Sequence, residues 1–391
     1  MRRTRMLWEV FMVRFEDVLG RYRKRRLTAE EAGELLGVSG RHFRRLGNRY
    51  DEEGIEGLRD LRIGKPSARR APAAELTRMQ ALYRERFWDF TVKHFHEQLV
   101  KRHNYKLGYT VTRLSLQAAG LMRKEKKRGP HRRRRERRPL PGMLLFQDGS
   151  RHAWIEGWPD LDLVVTMDDA TSELYSLLFV DEEGTASSFL GLRETIADRG
   201  LFSALYTDRG SHYFHTPKAG GKVDKTRLTQ VGRALQQLGI THIPSYSPEA
   251  RGRMERVFGT LQMRVPPELR LHGIKTPDAA NRYLKERFRP EYNARFAIPA
   301  AEPGTAFVPY AGRPLEEILC LQEDRRVGRD NCVPWRGLVL QIPPQPHRRH
   351  YVKAVVRLHE YPDGRLAIFD GPRCLVRFDA KGRPIDASRA A

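Results

Sequence analysis

One segment constrains this chain more than any other: Ser245-Tyr-Ser-Pro-Glu-Ala-Arg-Gly-Arg-Met-Glu255. Serine followed by proline is typical of a helix N-terminus, and the apolar residues that follow recur at helical spacing. We therefore predict a helix that begins near Pro248 and carries Glu255 beside its packed face. Glu249 is a rival acid, but a first-turn acid is explained more simply by the positive end of the helix dipole.

Two further acids end short apolar runs. Leu205-Tyr-Thr-Asp208-Arg-Gly210 and Leu144-Leu-Phe-Gln-Asp148-Gly-Ser both indicate buried strands that stop at an aspartate and turn at a glycine. Parallel strands would gather such acids at one edge of a sheet, and carboxylates suit a hard divalent cation. Asp168 and Asp169 are rival ligands, but we expect them to form local hydrogen bonds in a hairpin turn. The acids alone indicate metal-assisted phosphoryl transfer.

The surroundings of these acids resemble a known family. Asp148 precedes Asp208 by 60 residues, and Asp208 precedes Glu255 by 47. Together with Gln147-Asp148-Gly-Ser and Thr207-Asp208-Arg-Gly-Ser-His212, this order resembles the DDE transposases and retroviral integrases, and in particular the ISNCY-type bacterial insertion-sequence transposases. His212 could contact DNA or orient the Asp208 loop, and a packed histidine is an equal alternative.

The resemblance implies a DNA transposase that cuts insertion-sequence ends and joins the 3′-OH to target DNA. Asp148, Asp208 and Glu255 would be catalytic and would hold two Mg²⁺ ions, for which Mn²⁺ could substitute. Two ends must be brought together, so a homodimer or larger assembly on double-stranded DNA is expected. Three arginines that flank Glu255 are expected to hold phosphate near the metals: Arg251, Arg253 and Arg256.

Composition favours a nucleic-acid partner independently. The chain has 72 Lys and Arg against 48 Asp and Glu, a formal charge of +24. Eleven of the basic residues lie between Arg123 and Arg138, where we expect phosphate contacts, notably from Arg132, Arg133, Arg134 and Arg135. Three scattered cysteines and no long apolar span indicate a cytoplasmic protein without membrane contact, and the resemblance implies a bacterial, nucleoid-associated one.

The N-terminal region predicts two helical DNA-binding units. Thr28-Ala-Glu-Glu31 is a capping box, and Gly37-Val-Ser39 is a tight turn before a basic helix, which together indicate a helix-turn-helix. The second helix offers Arg41, His42, Arg44 and Arg45 to a major groove. A second such unit would use Arg113 and Gln117, unless its helices only brace the catalytic core.

We therefore predict a multidomain α/β protein. All-α helix-turn-helix domains come first, an RNase H-like mixed-sheet catalytic core follows, and a small SH3-like β-barrel ends the chain. The predicted boundaries are 1–65 and 72–122 for the helical domains, 123–142 for a basic linker, 143–300 for the core, 301–330 for a linker and 331–391 for the barrel.

Three other functions stay open. A DNA-binding regulator would account for the charge and the helix-turn-helix but not for three acids in matching motifs. A domesticated transposase could keep the acids without moving its element. An RNase H-like nuclease would share the metals but would cut DNA without joining it.

Overall fold

The computed structural model describes residues 2–59, 70–123, 135–218, 221–224, 226–246 and 248–385. The chain forms two compact units, Met1–Ala73 and Ala74–Ala391. No helix within the described ranges has both the length and the apolar character needed to cross a membrane.

The first unit is a helical domain. It contains α1 (Arg2–Arg23), α2 (Ala29–Leu36), α3 (Gly40–Glu53) and a short 3₁₀ turn. The predicted capping box is confirmed: the Thr28 side chain accepts from the Glu31 amide at 3.3 Å, and the Glu31 carboxylate accepts from the Thr28 amide at 2.7 Å. Gly37 takes the left-handed conformation at φ 69° that ends α2, so α2 and α3 form the predicted helix-turn-helix.

The second unit begins with three more helices, which are α4 (Ala73–Arg86), α5 (Val92–Arg102) and α6 (Tyr109–Ala118). Their shared core is aromatic and aliphatic and includes Phe87, Phe95 and Leu116.

The predicted mixed sheet follows, and it has five strands. Its elements are β1 (Leu145–His152), β2 (Leu161–Asp168), β3 (Leu174–Val180), α7 (Thr185–Arg199), β4 (Ala204–Thr207), α8 (Gln230–Gln237) and β5 (Thr241–Pro244). The strand order is β3-β2-β1-β4-β5, in which β1–β2 and β2–β3 are antiparallel while β1–β4 and β4–β5 are parallel.

One strand boundary differs from the expectation. We predicted a first strand that stops at Asp148, but β1 continues to His152 because residues 148–152 pair with residues 161–165 of β2. The polar run after Asp148 belongs to the strand, since the ladder with the fully buried β2 outweighs its low apolar content. Asp148 therefore lies within β1 and not at its tip.

Helices cover both faces of this sheet. The chain continues with α9 (Pro248–Leu271), α10 (Pro277–Tyr283), a π-helical segment (Leu284–Phe288) and α11 (Arg289–Phe296). On one face, Phe146 packs in a cluster with Met254 and Phe258 of α9. On the other, Leu145 packs with residues of α7 and α8. The alternation of neighbouring β1 side chains builds the two cores.

The α4–α6 helices are fastened to α9. Arg264 of α9 donates to both carboxylate oxygens of Glu97 at 2.9 and 3.0 Å. Arg270, further along α9, makes a similar fork with Asp89 at 2.7 and 2.6 Å. These contacts brace the α4–α6 helices against α9, which is one of the two roles that we considered for them.

The C-terminal region is all-β after α12 (Leu315–Ile318). It contains β6 (Leu321–Arg326), β7 (Cys332–Trp335), β8 (Leu338–Gln341), β9 (Val355–Glu360), β10 (Leu366–Asp370), β11 (Arg373–Phe378) and β12 (Pro384–Ile385). Five of these strands form a sheet in the order β12-β11-β10-β9-β6, and β7 pairs with β8 in a separate two-stranded sheet.

Closure into the expected SH3-like barrel is not observed. Within the described part of the chain, β12 and β6 are the two edges of an open sheet. Strand β6 also precedes the predicted start of this domain at residue 331. The sequence did not predict β6 because Leu-Gln-Glu-Asp-Arg-Arg is mostly polar, and only Gln322 is buried within this strand.

Candidate active site

Asp148 and Asp208 lie on neighbouring parallel strands. Strand β1 pairs with β4 through Leu145 opposite Leu205 and Phe146 opposite Tyr206. Continuing this register by two residues brings Asp148 beside Asp208, which directly follows β4. Asp148 is only 8% exposed, and an Asp208 carboxylate oxygen accepts from the Gly210 amide at 2.8 Å. Two of the three predicted acids therefore lie at positions that the register of these neighbouring strands aligns.

A buried tyrosine, Tyr213, lies near these acids. Burial raises the pKa of Tyr213 well above its ordinary value, and the negative charges of Glu183, Asp148 and Asp208 raise it further. The Tyr213 hydroxyl donates to the Gln147 side-chain oxygen at 3.2 Å, which fixes the ring beside β1. Asp148, Asp208 and Glu183 therefore all lie close enough to Tyr213 for their charges to act on its hydroxyl.

Glu183 is a member of this acidic group that sequence reasoning missed. Its carboxylate lies directly over Gly149, where a β-carbon would approach Glu183 Oε2 to 2.3 Å. His212 Nε2 lies 3.7 Å from Glu183 Oε1, and burial lowers the pKa of His212 while the charge of Asp208 opposes that effect. The glycine after Asp148 was the one sequence signal of a close approach, and it did not identify the partner.

Glu255 approaches from α9. Its neighbours Met254 and Val257 are buried, whereas Glu255 itself is exposed. Gln262, two turns later, donates to the Ser150 hydroxyl at 3.1 Å, so α9 crosses β1 close to Asp148. Among the residues that the structure describes, no three Asp, Glu, His or Cys side chains are grouped closely enough to hold a metal ion. Glu255 lies on the helix that crosses the strand of Asp148.

The two rival aspartates have other partners. Asp168 accepts from the backbone amides of Gly142 at 2.8 Å and Thr171 at 2.9 Å, and burial raises its pKa. Asp169 is fully buried and binds the guanidinium groups of Arg135 and Arg253. Both carboxylates hold the backbone and neighbouring segments together.

The arginines expected near Glu255 differ in position. Arg253 has a 12% exposed side chain bound to Asp169, so it is poorly placed for the phosphate contact that we expected. Arg256 is exposed and donates to the Gly252 carbonyl at 2.9 Å. The side chain of Arg251 lies outside the described residues.

The expected DNA-binding residues of the helical domains are accessible to different degrees. On α3, Phe43 and Leu46 face the core, and the four predicted residues are exposed: Arg41, His42, Arg44 and Arg45. The Arg44 guanidinium forms an ion pair with the Glu30 carboxylate, with an N–O distance of 3.0 Å. On α6, Arg113 and Gln117 are half-buried. In the basic segment, Arg132, Arg133 and Arg134 lie outside the described residues.

Sequence comparison identifies relatives of the whole chain and of its N-terminal part. A family model described as a helix-turn-helix domain matches residues 16–67. The chain is 34% identical over 355 residues to the putative transposase y4bF of Sinorhizobium fredii (strain NBRC 101917 / NGR234), a match that covers 90% of this chain and 77% of that protein. It is 32% identical over 150 residues to the transposase for insertion sequence IS1202 of Streptococcus pneumoniae, covering 38% of this chain and 32% of that protein.

Two solved retroviral structures are among those similar to this chain. The HTLV-2 integrase catalytic core domain in complex with magnesium is 16% identical, with a TM-score of 0.29, and the match covers 38% of this chain and 89% of that chain. The simian T-cell lymphotropic virus intasome in complex with PP2A regulatory subunit B56 gamma is also 16% identical, with a TM-score of 0.34 and coverage of 79% and 99%. These scores are too low to establish a shared fold, so the strand order and register above define the architecture.

Proposed function

This chain belongs to the transposase family, and we propose that it cleaves the ends of its own element and joins the freed 3′ ends to target DNA. Asp148, Asp208 and Glu255 are the proposed catalytic acids. The observation that carries the proposal is the parallel register of β1 and β4, which supports a side-by-side arrangement of Asp148 and Asp208. Glu255 is accessible on the helix that crosses the same strand.

The residues of this site suit a divalent metal. Three carboxylates offer only oxygen ligands, which is the donor chemistry of Mg²⁺ and Mn²⁺. The charges of Asp148 and Asp208 already act together on Tyr213, and a cation between them would offset their mutual repulsion. Asp148, Asp208 and Glu255 would hold two Mg²⁺ ions, whose chemistry when bound is to activate an attacking oxygen and to stabilise a leaving 3′ oxygen.

The remaining residues of the site position the DNA and the helix. Gln262 holds α9 against β1 through Ser150, which limits how far Glu255 can move from the two aspartates. Arg256 is exposed near Glu255 and would contact a phosphate of the bound strand. The sequence of attacks is water on the phosphodiester at the element end, followed by the freed 3′-OH on target DNA.

The N-terminal unit supplies recognition of the element end. Helix α3 presents four basic or polar residues on the face opposite its buried Phe43 and Leu46, as a recognition helix requires. The formal charge of +24 favours binding to the phosphate backbone as well. Because two ends must react with one target, the active species would be a dimer or a larger assembly on double-stranded DNA.

A strand-transfer assay tests this function and the acid assignment together. Purified protein is mixed with Mg²⁺, a labelled fragment carrying the element's own end, and a plasmid target. Wild type should give joined products, while Asp208→Asn and Glu255→Gln should give none. Glu249→Gln is the matched control, because it removes the neighbouring acid of the same helix and should leave joining intact.

Each alternative function gives a different result in this assay. Cleavage of the end without joining would indicate an RNase H-like nuclease. Specific binding to the element end without cleavage or joining, in Mg²⁺ or Mn²⁺, would indicate a DNA-binding regulator or an inactive, domesticated transposase. Loss of joining in Glu249→Gln but not in Glu255→Gln would move the third acid to Glu249.

A further inference from the structure

A buried carboxylate connects the basic segment to the helix of Glu255. Asp169 directly follows β2 and is fully buried. Its side chain binds the guanidinium groups of Arg253 and Arg135 and accepts from the Arg138 amide at 2.8 Å. Its own backbone carbonyl accepts from Arg137 at 2.7 Å. One residue therefore receives contacts from the start of α9 and from the C-terminal end of the basic segment.

These contacts form one connected group. A buried carboxylate is costly unless charged partners and hydrogen bonds compensate it, and here two arginines and an amide do so. Arg253 also donates to the Arg135 carbonyl, which links α9 to the basic segment directly. The Arg135 guanidinium lies 5.6 Å from the ring centre of Phe146, two residues before Asp148. The group therefore touches β1, α9 and the basic segment at once.

We propose that Asp169 is a positioning residue that fixes the orientation of Glu255 and couples it to the basic segment. The inference rests on the proposed function, because it concerns the third acid of that site. Arg253 lies two residues before Glu255 on a helix whose residues are separated by about 100° of rotation. Holding the Arg253 side chain at Asp169 therefore sets the rotation of this turn and the direction in which Glu255 points.

The proposal predicts a specific defect in Asp169→Asn. A looser α9 start should raise the Mg²⁺ concentration for half-maximal strand transfer by about tenfold, as expected when a group that orients a metal ligand is lost. The thermal shift that Mn²⁺ produces in the DNA-free protein should decrease in parallel. Binding of the labelled end without metal should stay at the wild-type level, since the exposed residues of α3 are untouched.

Two further variants separate positioning from general stability. Arg253→Gln leaves Asp169 compensated by Arg135 and the Arg138 amide, so it is expected to fold and to show the same shift in metal dependence. Asp89→Asn is the matched control, because it removes an arginine partner from the opposite end of α9. It should lower the melting temperature without changing the Mg²⁺ midpoint.

Hydrogen exchange measured by mass spectrometry gives a readout that needs no reaction. In Asp169→Asn, peptides from the first turns of α9 and from residues 135–142 should exchange faster together, while Asp89→Asn should leave both unchanged. Wild-type exchange in these peptides, or an unchanged Mg²⁺ midpoint and Mn²⁺ shift in a folded Asp169→Asn protein, would overturn the proposal. If wild type fails to join DNA, the proposed function falls, and the exchange measurement still decides whether Asp169 couples the two segments.

Discussion

Replacing Glu268 with alanine should weaken the attachment of α4–α6 to the catalytic core. Glu268 lies on α9 and is only 6% exposed. One carboxylate oxygen accepts from Nε2 of His94 and from the Gln98 amide, each at 2.7 Å, and the other accepts from the Tyr283 hydroxyl at 3.1 Å. His94 and Gln98 belong to α5, so this carboxylate is a buried polar link between the two parts.

The expected magnitude follows from the donors that the substitution leaves behind. Alanine removes the acceptor of His94, Gln98 and Tyr283, and a buried donor without a partner costs about 1–3 kcal/mol. Because these side chains can rotate in part toward other acceptors or water, we expect a total loss of about 3–5 kcal/mol, the range typical of a broken buried pair. The loss should fall on the α5–α9 interface and not on the N-terminal unit.

Urea unfolding combined with hydrogen exchange of α5 peptides measures this effect. Glu291→Ala is the matched control, since Glu291 pairs with Lys101 of α5 at 2.7 Å but both side chains are 57% exposed. An exposed pair contributes at most about 1 kcal/mol, so this variant should be close to wild type. If Glu268→Ala is no less stable than Glu291→Ala and α5 exchanges at the wild-type rate, the buried link does not fasten the helices.

Three shorter predictions concern acidity, the acidic group and DNA binding. Burial raises the pKa of Glu268, but the hydrogen bonds and charges of His94, His272 and Tyr283 together outweigh burial, so the pKa lies below the ordinary 4.5. The stabilisation from Glu268 is therefore fully present above the pKa of the unfolded chain and is lost as the pH falls through the lowered folded pKa, and Glu268→Gln should flatten the acid limb of the stability profile. Gly149→Ala would place a β-carbon 2.3 Å from Glu183 Oε2 and should slow strand transfer about 10-fold to 100-fold with unchanged end binding; wild-type rates would contradict this. Arg45→Ala should reduce the slope of log DNA affinity against log salt concentration by about 1 in binding titrations. An unchanged slope would indicate that Arg45 does not contact a DNA phosphate.

Local signals in the sequence predicted the parts of the fold that depend on neighbouring residues. The capping box of Thr28 and Glu31 joins residues three positions apart, so its sequence pattern contains the whole interaction. The apolar run before Asp208 likewise contains the strand that Asp208 directly follows. The sequence also led us to expect parallel strands beside these acids, whereas the register of β4 with β1 is known only from the structure.

Strands and contacts that depend on residues far away in the sequence were not predicted correctly. The polar residues after Asp148 continue β1 because β2 pairs with them, and β6 forms because it pairs with β9. Neither run has the apolar alternation of an independent strand. Glu183 was missed for the same reason, since only the folded chain brings it over Gly149.

Asp169 illustrates why a sequence motif gives residue types more reliably than their roles. In sequence it is a turn residue whose expected partners are local, and Arg253 is a cation close to a catalytic acid. In the structure the two residues bind each other, although 84 positions separate them. A buried carboxylate requires a cation, and the fold supplies Arg253 because β2 ends where α9 begins its crossing of β1. An arginine beside a proposed catalytic acid can therefore act by holding the helix, while Arg256, three residues further along, is exposed and is the residue that we propose for a phosphate contact.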